Sequence, residues 1–158
     1  MLPSRYIPVN MLGGKNCYFD TGEVPSSDLQ ITGLFYIEAP SGSNAAYVFG
    51  ARNTNSTSSA GQLNFLANGV GNTAYLGYAG ARLSVPSYNG GYLQIKNASN
   101  VFDVYDSTSN IRELTGATGA FTGAQSIYLL ALNNAGTPLY GGGASSYMIF
   151  ICELSMSR

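Results

Sequence analysis

The sequence predicts an all-β fold, a sandwich or barrel of short antiparallel strands, and three observations support this prediction. Apolar and polar residues alternate at period two in many short segments, as expected of half-buried strands. Turn-forming glycine and asparagine separate these segments, and glycine alone contributes 20 of the 158 residues. No window combines a helical period with capping residues, so the sequence gives no clear signal for an α-helix.

The predicted strands follow one another with turn signals between them, which is the spacing typical of a sandwich or barrel. Alternation is clearest where Leu63 and Phe65 share one face. The segments 126–132 and 147–154 are predicted to be central strands, and the stretch Ser109 to Leu114 is the one place where a helical turn is plausible. The predicted strands cover residues 28–39, 46–50, 62–67, 74–78, 92–96, 101–105, 126–132 and 147–154.

The turn signals lie between these segments and mark no domain boundary. Pairs such as Asn68-Gly69 and Asn133-Asn134 tolerate the positive φ that hairpin turns require. The most polar stretch, residues 53–61, is predicted to be an exposed loop that is too short to link domains. The length and the absence of a boundary predict one domain over residues 1–158.

The charge content excludes several classes of partner. Charged residues make up 9% of the chain, and the net charge is −1. The seven basic residues are scattered, so neither nucleic acid nor an anionic membrane surface is an expected partner. No apolar run is long enough to span a bilayer, and the first ten residues do not resemble a signal peptide.

The residue types needed for common catalysis are missing. The chain has no histidine, which excludes Ser-His-Asp and Cys-His mechanisms and the usual imidazole metal sites. A polysaccharide-degrading enzyme would need two suitably spaced carboxylates. Asp103 and Asp106 lie three apart on a predicted strand, so they point to opposite faces. We therefore predict a protein that is not an enzyme and uses no cofactor, with hydrolysis as the weakest alternative.

A calcium site is a second alternative that the acidic residues leave open. Asp103, Asp106 and Asn110 could supply hard oxygen ligands from one loop. The same residues also form turns at strand ends, and this structural role is the favoured interpretation. No metal is therefore predicted.

The two cysteines lie near opposite ends of the chain, each within an apparent strand. Buried thiols that pack as small hydrophobic residues are the favoured interpretation of Cys17 and Cys152. A disulfide between neighbouring terminal strands remains the alternative. Two cysteines without histidine do not form a structural zinc site.

Twelve tyrosines and no tryptophan favour a contact surface that is both apolar and able to hydrogen-bond. Tyrosine combines a flat ring with a hydroxyl, and with asparagine and serine it makes adaptable binding surfaces. Ordinary packing in a sandwich is an equally good explanation for any one of them. The tyrosines in or beside glycine-rich turns, predicted to contact a glycan or a partner, are Tyr75, Tyr78, Tyr88, Tyr92 and Tyr140.

Three segments together resemble a known family. They are YFDTG at residues 18–22, VFGARN at 48–53 and YMIFICEL at 147–154. The chain resembles the concanavalin A-like, laminin-G-like jelly-roll domains of bacteriophage tail, fibre and capsid-associated proteins. The resemblance implies a two-sheet antiparallel jelly-roll sandwich. It also implies a non-enzymatic virion surface protein, such as a capsid decoration, head-fibre or tail-fibre component, that attaches to host or mucosal glycans.

The resemblance also suggests site residues and partners. Arg52 and Asn53 fall in the second motif and are predicted to contact a glycan or a partner, whereas Asp20 in the first motif can cap a turn. Lectins of this kind often use an Asp/Asn metal cluster, which this sequence lacks. A lectin-like carbohydrate-binding module is the alternative function.

The family context predicts a protein made in the host bacterial cytoplasm and placed at the virion surface among other virion proteins. Few lysines guard strand edges; Lys15 and Lys96 are the only two in the chain. Unguarded edges pair readily with other chains. We therefore predict that neighbouring subunits cover the edges, in a homo-oligomer for which a trimer is one possibility.

Overall fold

The fold is all-β throughout the part of the chain that the structure describes. The computed structural model describes residues 5–6, 18–26, 29–37, 46–53, 62–69, 73–78, 81–85, 91–98, 101–106, 109–114, 123–139 and 149–157. No helix long and apolar enough to span a membrane occurs in these ranges. The strands are β1 Arg5–Tyr6, β2 Phe19–Asp20, β3 Gln30–Ile37, β4 Ala46–Arg52, β5 Gln62–Gly69, β6 Thr73–Tyr78, β7 Ala81–Val85, β8 Gly91–Ala98, β9 Val101–Asp106, β10 Ser109–Leu114, β11 Tyr128–Leu129, β12 Leu132–Asn134, β13 Thr137–Leu139 and β14 Ile149–Ser157.

One sheet contains six strands in the order β1-β14-β3-β8-β9-β10, all paired antiparallel. On β3 the buried residues Ile31, Gly33 and Phe35 alternate with more exposed ones, as predicted for a strand with one face on a core. On β14 the pairing shifts between Ile151 and Glu153, so a bulge lies at this point. Cys17 lies outside the described residues, so a disulfide between Cys17 and Cys152 stays an untested alternative.

The second sheet has the order β13-β12-β4-β5-β6-β7, with β11 placed between β4 and β2. β11 runs antiparallel to β4, whereas β12 runs parallel to the same strand. The chain changes direction between them at Leu130, which has a φ of 64°. The prediction of one continuous strand over residues 126–132 is therefore wrong, because a left-handed residue interrupts the ladder.

The two sheets pack face to face over an apolar core. Phe35 of the first sheet lies 5.8 Å from Phe49 and 5.7 Å from Phe65 of the second, measured between ring centroids. Phe49 and Phe65 are register partners on β4 and β5, with centroids 5.9 Å apart. All three rings are fully buried. The predicted two-sheet, antiparallel jelly-roll sandwich is confirmed.

The sheet edges in the described residues are short or covered within the chain. β7 and β10, the last strands of the two sheets, contact each other. β13 has three residues and includes Pro138, which has no N–H to offer a further strand. β1 and β2 have two residues each. These features protect the strand edges from pairing with other chains. They do not require neighbouring subunits, so the homo-oligomer remains a prediction.

Three local predictions need correction. Asn68 and Gly69, which were expected to form a turn, are the last two residues of strand β5. The stretch Ser109 to Leu114 is strand β10, paired with β9, and not a helical turn. The turn expected at Asn133 and Asn134 lies two residues later, because both asparagines belong to β12. Ala135 and Gly136 form the turn with φ values of 50° and 88°. Two positive φ angles are the signature of a two-residue type I′ hairpin.

Candidate functional site

The candidate site lies on the outer face of the eight-stranded sheet, and strand register defines it. One row of register partners, Leu129, Phe49, Phe65 and Leu76, is buried in the core. Side chains alternate between faces along a strand, so the row displaced by one residue faces away from the core. That outer row runs Asp20, Tyr128, Gly50, Asn64, Gly77 and Arg82.

Arg52 is the central charged residue of this face. It ends β4, and its Nε donates a 2.8 Å hydrogen bond to Oδ1 of Asn134 on the neighbouring β12. Only 7% of Arg52 is exposed. Asn134 is its sole side-chain hydrogen-bond partner among the described residues, none of which forms an ion pair with it. A positive charge is therefore held in a largely buried position with no carboxylate partner in the described part of the chain.

Two amide side chains lie next to Arg52 on the same face. Gln62 is the register partner of Arg52, and Asn64 follows two residues later on β5. Gln62 is 4% exposed, whereas Asn64 is half-buried. Together with Arg52 and Asn134 they form what we call the polar cluster: Arg52, Gln62, Asn64 and Asn134. Such a cluster offers both donors and acceptors.

Glycine on β6 makes room for these amides. A Cβ built on Gly77 would lie 2.9 Å from Nε2 of Gln62 and 3.1 Å from Oδ1 of Asn64. The amides therefore pack directly over the Gly77 backbone. Gly50 is likewise crowded, because its Cβ would meet Cδ1 of Leu132 at 2.7 Å. Leu132, which is itself fully buried, thus packs over Gly50, next to the polar cluster.

A row with two tyrosines borders the glycine positions on the other side. Tyr47 pairs with Leu66, and Leu66 pairs with Tyr75. Both tyrosines are half-buried. Tyr75 lies two residues before Gly77 on β6, so it shares the face that carries the polar cluster. An outer face with recessed amides and a guanidinium beside tyrosine rings suits a hydroxyl-rich ligand.

The structure brings some of the predicted contact residues together and separates others. Arg52, Asn53 and Tyr75 lie in the eight-stranded sheet or directly after its strand β4. Tyr78 is on β6 opposite Leu63, a core residue. Tyr92 lies on β8 of the other sheet, opposite Tyr36. The two remaining tyrosines lie outside the described residues; they are Tyr88 and Tyr140.

The residues considered for calcium lie on a hairpin of the other sheet. Asp103 and Asp106 belong to β9, and Asn110 belongs to β10 opposite Tyr105. Asn110 is thus a strand residue and not part of a ligand loop. No group of three or more His, Cys, Asp or Glu able to hold a metal occurs within the described ranges.

The segment YFDTG at residues 18–22 contains a structural turn. Oδ1 of Asp20 accepts a 2.9 Å hydrogen bond from the backbone N–H of Gly22, whose φ is 72°. Thr21 donates both its N–H and its hydroxyl to the carbonyl of Ile127, at 3.0 and 2.9 Å. The capping role considered for Asp20 is confirmed, and the motif fastens β2 to the segment before β11.

The sequence interpretation missed Gln62, Asn64 and Asn134. A usable signal existed for two of them, because Gln62 and Asn64 alternate with the apolar Leu63 and Phe65. That alternation places both amides on the face away from the core. Their proximity to Arg52 depends on the pairing of β4 with β5, which one strand alone does not reveal.

Comparison with known proteins supports the fold through structure alone. No protein-family model matches the chain, and no curated protein matches its sequence. The CBM40 of the Ruminococcus gnavus IT-sialidase superposes with a TM-score of 0.64 at 12% identity, over 99% of this chain and 91% of that one. The same CBM40 bound to α2,3-sialyllactose gives a TM-score of 0.59 at 13% identity, over 97% and 89%.

A larger protein contains a similar domain. The NanB sialidase of Streptococcus pneumoniae matches with a TM-score of 0.62 at 14% identity, over 96% of this chain and 26% of that chain. This protein thus spans about a quarter of the NanB chain. Identities this low establish a shared β-sandwich fold, and the neighbours that match over most of their length are carbohydrate-binding domains.

Proposed function

We propose that this protein is a non-catalytic carbohydrate-binding module that holds a glycan on the outer face of its eight-stranded sheet. The polar cluster supplies the hydrogen bonds, and Tyr47 and Tyr75 supply apolar contact beside it. The resemblance to CBM40 domains in fold supports this proposal. The observation that carries it is the nearly buried guanidinium of Arg52, which has no carboxylate partner among the described residues.

Burying a charge is costly unless a partner or a set of hydrogen bonds compensates it. Within the described residues Arg52 makes one side-chain hydrogen bond, to Asn134, whereas a guanidinium has five N–H donors. The planar fork of an arginine matches a carboxylate through two parallel hydrogen bonds. The preferred ligand is therefore a glycan with a carboxylate group, which would supply the missing countercharge.

Sialylated glycans are the first class to test. Structures of the Ruminococcus gnavus CBM40 contain α2,3- and α2,6-sialyllactose, and sialic acid carries a carboxylate. A neutral glycan held by the amides is the alternative ligand. Comparing sialyllactose with lactose separates the two, because both present the same neutral disaccharide.

Binding without catalysis agrees with the residue content. The chain lacks histidine, and Asp103, the best candidate acid, lies in the sheet opposite to the one that holds Arg52. Hydrolysis by two carboxylates requires them to lie on either side of one bond. A glycosidase assay with sialyllactose is expected to show no turnover.

The test is calorimetric titration of the purified chain with α2,3-sialyllactose and with lactose, after a glycan array has surveyed other classes. Arg52→Gln is expected to weaken sialyllactose binding at least about 30-fold, from the loss of ~2 kcal/mol that removing one partner of a buried charged pair costs. Arg112→Gln is the matched control, since it removes the same charge from β10 of the other sheet. Its affinity is expected to equal that of the wild type.

Two outcomes would contradict the proposal at different levels. Absence of binding to every glycan on the array would reject the carbohydrate-binding function. Equal affinity for lactose and sialyllactose, unchanged by Arg52→Gln, would reject the role of Arg52 while leaving a neutral-glycan module.

We also propose the virion surface as the setting for this binding, on the basis of the three sequence segments that resemble phage jelly-roll domains. The compared structures come from sialidases and offer no support for this setting. Attachment to other virion proteins and assembly into a homo-oligomer belong to the same proposal. Co-sedimentation of the tagged chain with phage particles is the expected result; a chain that stays in the supernatant would contradict it.

A further inference from the structure

The hairpin of β12 and β13 extends the polar cluster to the edge of the sheet. Thr137, the first residue of β13, pairs with Asn134, which in turn pairs with Arg52 on β4. Register partners on neighbouring strands carry their side chains on the same face of a sheet. A single row across four strands therefore contains Thr137, Asn134, Arg52 and Gln62.

Exposure to solvent rises along this row toward Thr137. Gln62 is 4% exposed and Arg52 is 7% exposed. Asn134 is half-buried, whereas Thr137 is exposed. The neighbouring row is closed, because Leu132, two residues before Asn134 on β12, is fully buried. Solvent therefore reaches the row at its Thr137 end, and a ligand that approaches Arg52 from this end passes beside Thr137.

The hairpin holds Thr137 in a fixed position. The backbone N–H of Ala135, in the turn, donates a 2.9 Å hydrogen bond to the carbonyl of Arg52. Pro138 follows Thr137 and restricts its backbone to the extended region, and a β-branched side chain has few accessible χ1 rotamers. The threonine hydroxyl is thus in place before a ligand arrives, which lowers the entropy cost of a contact.

The hydroxyl of Thr137 lies one sugar unit away from the guanidinium. β13 is two strands from β4, which corresponds to about 10 Å between their backbones. The guanidinium leans toward β12, because its Nε is bonded to Asn134, so the remaining gap is close to one strand spacing of about 5 Å. The hydroxyl makes no hydrogen bond within the described residues, and it can both donate and accept.

We propose that Thr137 selects acidic sugars in which the ring that carries the carboxylate also carries a hydrogen-bonding side arm. This inference rests on the proposed function: the carboxylate lies at Arg52, and the arm, a polyhydroxy chain or an acylamino group, lies at Thr137. Sialic acid carries both kinds of arm, whereas a uronic acid carries neither. A uronic acid leaves the Thr137 hydroxyl to water and binds more weakly.

The test is calorimetric titration of the wild type and three variants with the methyl α-glycoside of sialic acid. Thr137→Val keeps the shape of the side chain without the hydroxyl, and it is expected to weaken binding about 3- to 10-fold, the range for one hydrogen bond. Thr137→Ser keeps the hydroxyl and is expected to bind as the wild type does. Thr32→Val makes the same change on β3 of the other sheet, and its affinity is expected to be unchanged. Urea midpoints of all four proteins report any effect on folding.

Two analogues of the ligand identify the arm. In one, the polyol chain is shortened by mild periodate oxidation and reduction; in the other, a hydroxyl replaces the acetamido group. The wild type is expected to bind one of them as weakly as Thr137→Val binds the intact sugar, with no further loss for that analogue in Thr137→Val. A loss of the same factor in Thr137→Val for the intact sugar and for both analogues would overturn the contact with an arm.

Other outcomes separate this inference from the function on which it rests. Equal affinity of Thr137→Val and wild type for the intact sugar, or an equal loss in Thr32→Val, would overturn the role of Thr137 and leave the proposed function standing. A methyl glucuronide that binds the wild type as tightly as the sialoside would do the same. A wild type that binds no acidic sugar would overturn this inference together with the proposed preference for acidic glycans.

Discussion

Replacing Arg52 by methionine should separate the contribution of this residue to stability from its contribution to binding. Methionine has a similar length and no charge. Because Arg52 is 7% exposed and lacks an ion-pair partner among the described residues, the unliganded protein bears the desolvation penalty of a guanidinium, which amounts to several kcal/mol. Removing the charge removes that penalty.

The stabilisation that the substitution removes is smaller than this desolvation penalty. Arg52→Met eliminates the 2.8 Å hydrogen bond to Asn134, and a hydrogen bond to a charged group contributes about 1.5–3 kcal/mol. Asn134 is half-buried, so water can replace the lost donor at its Oδ1. The balance is a change in the free energy of unfolding between zero and about 3 kcal/mol in favour of Arg52→Met.

Urea unfolding of wild type and Arg52→Met at equal protein concentration measures this balance. The expected midpoint is equal or higher in the variant, and the melting temperature should rise by about 2–4 °C for each kcal/mol gained. Glycan binding should be lost in the same variant. Destabilisation by more than about 1 kcal/mol with binding retained would refute the reasoning, since Arg52 would then serve the fold and not a ligand.

Three further predictions concern the turn, the amide cluster and the core. Ala135→Asn should raise the free energy of unfolding by about 1 kcal/mol, because alanine at a φ of 50° is strained and asparagine tolerates it; an unchanged melting temperature would contradict this. Gly77→Ala should weaken glycan binding about 10-fold with at most about 1 kcal/mol lost in stability, because its Cβ displaces the amides of Gln62 and Asn64; unchanged calorimetric affinity would show that these amides do not contact the ligand. Phe49→Ala should cost about 3–5 kcal/mol in urea unfolding, since the ring is fully buried between two others; a loss under 1 kcal/mol would place the core elsewhere.

The fold class could be predicted from the sequence because the alternation of apolar and polar residues along a strand is a local property. Leu63 and Phe65 could be placed on the core face from their spacing alone, and the structure buries both. The interruption at Leu130 could not be foreseen, because leucine carries no signal for a positive φ. Its backbone conformation is imposed by pairing on both sides, including the hydrogen bond from its N–H to the carbonyl of Val48.

The candidate site was predictable only in part. Arg52 and Tyr75 were selected from a motif and from the position of a tyrosine near turns. Their common face depends on the register between β4, β5 and β6, which joins residues far apart in the chain. The bulges between Tyr47 and Phe49 and between Leu66 and Gly69 also shift register, and no residue type marks them.

Register also explains how one sheet can serve both stability and binding. The core row and the outer row are one residue apart on every strand, so a slip of one position would exchange Phe65 with Asn64 and Phe49 with Gly50. Such a slip would bury an amide and expose two rings, at a cost comparable to losing the core. The glycines of the outer row add to this discrimination, because a Cβ at Gly50 would meet Cβ of Asn64 at 2.8 Å. Selection for a tightly packed core therefore fixes the positions of the binding amides as well. Substitutions in the core row should change the free energy of unfolding, whereas substitutions in the outer row should change glycan affinity.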